Sequence, residues 1–78
     1  MWEMPGQTIS LATLVRAERR RRGWSREKLA DRAGCTTETV QDIELGRHRR
    51  PHGHTLQGVA RALGIPVGTL LVAAVQQG

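Results

Sequence analysis

The stretch Ser25-Arg26-Glu27-Lys28-Leu29-Ala30-Asp31-Arg32-Ala33-Gly34-Cys35-Thr36-Thr37-Glu38-Thr39-Val40-Gln41-Asp42-Ile43-Glu44-Leu45-Gly46 decides the fold. It reads as two short helices around a tight corner. Ser25 is a sound N-cap, and Trp24 and Leu29 are spaced as a hydrophobic staple across it. Gly34 supplies the left-handed residue that ends the first helix. Thr36 caps the second, where Val40 and Ile43 share one face, and Gly46 stops it. The small Ala30 lets the two helices approach closely.

Working outward, Arg47 to Arg50 form a basic loop closed by Pro51. A fourth helix is expected from about Thr55 to Leu63, with Leu56, Val59, Ala60 and Leu63 at helical spacing. Gly64 ends it. Pro66 suits the first turn of a fifth helix carrying Val67, Leu70, Leu71 and Val75. Upstream, Thr8 or Ser10 caps a first helix to about Arg22, with Leu11, Leu14 and Val15 as its stripe and Gly23 as its stop. Residues 1–7 hold Pro5 and Gly6, show no period and read as a flexible arm. The expected architecture is all-α, five short helices around one small core. Residues 8–75 form one domain, followed by a tail at 76–78.

At 78 residues the chain is near the lower limit for a self-sufficient core, so stability of order 5 kcal/mol is expected. Twelve Lys and Arg against seven Asp and Glu leave a net charge of +5, with clustered arginines, as for a protein that meets a polyanion. One cysteine excludes an internal disulfide and fits a reducing cytoplasm. No Phe or Tyr argues against single-strand binding by base stacking. No apolar run is long enough to cross a bilayer.

The ordered set Arg19, Gly23-Trp24-Ser25, Leu29-Ala30, Ala33-Gly34, Ile43-Glu44, Gly46, Arg50-Pro51 and Ala62-Leu63-Gly64 resembles the helix-turn-helix of the phage-repressor and Cro-type (XRE-like) family, over Leu11 to Leu71. The resemblance implies a lambda-repressor-like DNA-binding domain whose third helix, at about 36–45, lies in the major groove. Thr37, Glu38 and Asp42 match base-reading positions, and Thr36 and Gln41 share the exposed face. Gln41 can pair with adenine, Thr37 can meet a thymine methyl, and a carboxylate can accept from a cytosine amino group. Arg19 matches an arginine that pairs with the counterpart of Glu44 and turns part of its guanidinium to a phosphate. Ser25 and Arg26 open a helix towards a phosphate, and Arg47, Arg49, Arg50 and His52 match the basic loop and the backbone contact after it.

The chain departs from its relatives at Glu18, which replaces an apolar residue whose place Ala17 is expected to fill in part. Glu38 and Asp42 put two carboxylates on the reading face, Arg26 stands for a common glutamine, and Leu45 and Gly53 replace a polar and a larger residue. Arg20 and Arg21 read as solvated. His52-Gly53-His54 is short, with no carboxylate or cysteine near it in sequence, so these residues and His48 read as surface or phosphate-facing and no metal is expected. Cys35 reads as structural. No catalytic set or phosphate-cradling loop is present, so neither an enzyme, a cofactor nor a small-molecule substrate is expected. The expectation is a sequence-specific double-stranded DNA-binding transcriptional regulator of repressor type. It would be a weak homodimer through Leu70, Leu71, Val72 and Val75 of the fifth helix. The alternative is a protein-interaction module, antitoxin-like or regulator-binding, that keeps the fold but binds DNA weakly.

Overall fold

Ser10 opens the first helix: its backbone is extended and its Oγ accepts from the Thr13 amide, so α1 runs Leu11–Arg21. The computed structural model describes residues 9–47 and 53–77. The expected arm at 1–7, the alternative cap Thr8, and His48, Arg49, Arg50, Pro51 and His52 lie outside the described residues. Ser25 caps α2 (Arg26–Ala33) by accepting from Lys28, and Thr36 caps α3 (Thr37–Glu44) by accepting from Thr39. Between them Gly34 has φ 75°, and the Cys35 amide returns to the Ala30 carbonyl at 3.0 Å. α4 (Gly53–Leu63) and α5 (Val67–Gln77) complete five helices, with no strand among the described residues.

The fourth helix starts two residues earlier than expected. Its apolar period begins at Leu56, whereas the exposed Gly53 and His54 carry no such signal.

α3 packs on α1 and α2, α4 on α2, and α5 on α1 and α4. Leu11, Val15, Leu29, Val40, Ile43, Val59, Leu63 and Leu70 are buried where these helices meet. Each such side chain contributes about 1.5–3 kcal/mol of transfer free energy. Trp24 and Cys35 lie half-buried against this core. The approach of α2 and α4 is set by Gly58: a Cβ there would lie 2.2 Å from the Ala33 carbonyl oxygen.

Two expectations are corrected. Ala17 is exposed and does not replace the missing apolar residue. Glu18 instead turns to Arg21 and Arg22, at 2.8 and 2.7 Å. Leu70 is fully buried in the core, because the face that α5 lays on α1 and α4 runs through Leu70 and Ala73. Leu71, Val72 and Val75 remain on the outside.

Candidate nucleic-acid interface

The candidate interface lies on α3, whose two faces divide cleanly. Val40, Ile43 and Glu44 are buried, and the opposite side presents Glu38, Gln41, Asp42 and Leu45 at the i, i+3, i+4, i+7 spacing of one helical stripe. Glu38 and Leu45 are exposed, and Gln41 and Asp42 half-exposed. Thr36 and Thr37 are exposed at the N-terminal end of this stripe, with Thr36 Oγ1 within 2.8 Å of Thr39 Oγ1.

A single carboxylate anchors the inner face. Glu44 Oε2 accepts from Arg19 Nε at 2.6 Å, and Oε1 accepts from Arg19 Nη2 at 2.9 Å, so the pair expected from the family is bidentate. Arg19 Nη1 donates to the Trp24 carbonyl at 2.8 Å. Three bonds and burial therefore direct the Arg19 guanidinium inward. Burial alone would push the Glu44 carboxyl up, but the bonds from Arg19 and Arg26 together outweigh it and hold the group below the usual glutamate range. Glu44 in turn raises Arg19.

Arg26 is the residue whose place here spacing did not reveal. Its Nε donates to Glu44 Oε1 at 3.1 Å, which brings the start of α2 onto the end of α3. Ser25 sits beside it, exposed. At the other end of α3, Arg47 approaches Asp42 Oδ1 at 3.4 Å, and its amide bonds the Asp42 carbonyl at 2.9 Å. The two acidic residues on the stripe are therefore not equivalent. Asp42 has a cation beside it, whereas Glu38 makes no ion pair among the described residues.

Arg20 and Arg21 are exposed, as expected. Arg22 is not a mere surface charge: it bonds the Glu18 carbonyl and the Leu63 carbonyl at the end of α4. Arg22 and Arg32 lie 5.9 and 5.4 Å from the Trp24 ring. Burial pushes the Cys35 thiol up, away from thiolate chemistry.

A sequence profile described as helix-turn-helix matches residues 15–70, which spans α2, the Gly34 corner and α3. The chain belongs to the XRE-type helix-turn-helix family. Members of this family are DNA-binding regulators. An uncharacterized HTH-type transcriptional regulator of Mycobacterium bovis is 43% identical over 68 residues, covering 83% of this chain and 26% of the relative. A Mycobacterium tuberculosis protein of the same description matches equally. The chain thus spans about a quarter of these mycobacterial relatives. An uncharacterized HTH-type transcriptional regulator of Methanothermobacter thermautotrophicus is 39% identical over 54 residues, covering 69% of this chain and 77% of its own.

Proposed function

We propose that the chain is a sequence-specific double-stranded DNA-binding module of a transcriptional regulator, reading the major groove with α3. The observation that carries this reading is the polar stripe of Glu38, Gln41 and Asp42 on a helix pinned from behind by Val40, Ile43 and the Arg19–Glu44 pair. Thr36 and Thr37 extend the stripe at its N-terminal end. Ser25, Arg26 and Arg47 flank it as phosphate donors, and Arg49, Arg50 and His52 are assigned the same work from sequence. Arg19 serves chiefly by holding α1 against α3.

The protein acts in the cytoplasm as a repressor, by occupying an operator. One module of this size covers too little DNA for tight specific binding, so two copies meet on a palindromic site. The exposed apolar stripe of Leu71, Val72 and Val75 on α5 is the seam between them. That same stripe is what an interaction module would use, and the test separates the two. Selection of bound duplexes from a random DNA pool is expected to return a palindromic consensus. Recovery of unselected sequence would overturn the specific-binding reading and favour a protein partner on α5.

A further inference from the structure

The buried carboxylate of Glu44 serves two guanidiniums at once. Oε2 takes Arg19 Nε, while Oε1 takes both Arg19 Nη2 and Arg26 Nε. Two positive charges share one negative charge, so the node keeps a net +1 (2 − 1). That surplus lies on Arg26. Arg19 is held by three bonds and buried, whereas the bond through Nε is the one side-chain bond of Arg26 among the described residues. The Arg26 side chain is 34% exposed, against 0% for Glu44. A guanidinium tied at Nε keeps the N–H groups of both terminal nitrogens, a planar fork that matches two phosphate oxygens.

We propose that Glu44 is the positioning residue of a phosphate clamp whose donor is Arg26. The inference rests on the DNA-binding reading above and names how one contact is set. Because Glu44 is itself part of α3, the helix that faces the bases also aims the cation that grips the backbone. The grip and the reading helix therefore share one register. Charge alone does not reproduce this. Lysine at position 26 keeps the charge, but its three donors sit on one nitrogen, so a bond to Glu44 draws the cation back from the place where an arginine fork meets two phosphate oxygens.

The test measures the full chain binding a mixed-sequence duplex of about 20 base pairs by fluorescence anisotropy over a range of salt. Arg26→Lys and Arg26→Ala are compared with the wild-type chain, and thermal melting confirms that both are folded. Arg26 lies at the solvent edge, and the Arg19–Glu44 pair survives both changes. Arg26→Lys is expected to behave like Arg26→Ala: both lose about tenfold in affinity, and both lower the salt slope by about 0.9. In a Glu44→Gln chain, Arg26→Ala is expected to cost far less than tenfold; an undiminished Arg26→Ala effect there, or an Arg26→Lys variant with wild-type affinity and slope, would overturn the proposal. Absence of duplex binding by the wild-type chain at low salt would instead overturn the DNA-binding reading beneath it.

Discussion

Single side chains do much of the joining in this small protein. Arg22 links α1 to the last carbonyl of α4 and covers the Trp24 ring, and Glu44 fastens three helices through two arginines. Replacing Glu44 with Ala strands the buried Arg19 charge, so a loss of about 3–5 kcal/mol is expected in denaturant unfolding. A joint Arg19→Met, Glu44→Leu exchange should recover part of that loss, and a double-mutant cycle with no coupling would contradict the pairing. The acid limb carries the same signature. The folded-state pKa of Glu44 is depressed, so its contribution is complete above the unfolded value of about 4.3 and is lost as pH falls through the lower folded value. Unfolding free energy measured from pH 6 downwards should therefore fall below about pH 4.3. On the outer face, Glu38→Gln should shift duplex preference from cytosine towards adenine by about 1–3 kcal/mol. An unchanged consensus in a random-pool selection would remove Glu38 from the reading set.

The helices themselves were largely legible in the sequence, because their signals are local. Ser25 and Thr36 cap as their side chains require, and Gly34 turns the corner where no side chain is wanted. Of the joints between helices, the Arg19–Glu44 pair came through the family resemblance alone, and the others were not legible. Arg22 meets Leu63 41 residues away, and Arg26 meets Glu44 18 residues away; a flexible side chain gives no periodic sign of such a partner. Leu70 and Leu71 look alike in sequence, and only the angle at which α5 lies on α1 and α4 sends one inward. Gly58 is the clearest case. It carries no turn, yet it sets how near α4 comes to α2. Gly58→Ala would press a methyl group into the Ala33 carbonyl and push the two helices apart. The expected cost is about 1–3 kcal/mol in a thermal melt, a large share of the stability of so small a domain.

At the scale of the whole molecule, the largest run of exposed apolar side chains lies apart from the stripe on α3, where Leu45 is the one exposed large apolar residue. Arg26 and Arg47 flank α3, whereas the exposed apolar stripe runs along α5, where Val75 is 78% exposed. The dimer proposal turns on that separation. Sedimentation of the free chain should show monomers or a weak dimer, and a palindromic duplex should bind two copies cooperatively. Val72→Glu with Val75→Glu should abolish the cooperativity while leaving α3 intact. A protected site without two-fold symmetry would instead mean that one copy binds alone.

Trp24 gives these events an optical readout. It is one of two tryptophans in the chain, and the other is Trp2. Its ring lies against Arg22 and Arg32, and its carbonyl holds the guanidinium that Glu44 holds from the other side. With Trp2 replaced by Leu, the remaining emission comes from the joint between α1 and α2. A shift of that emission to the red then reports the opening of this joint, and quenching on addition of duplex reports a rearrangement beside Arg22 and Arg32, with no dye attached to the protein.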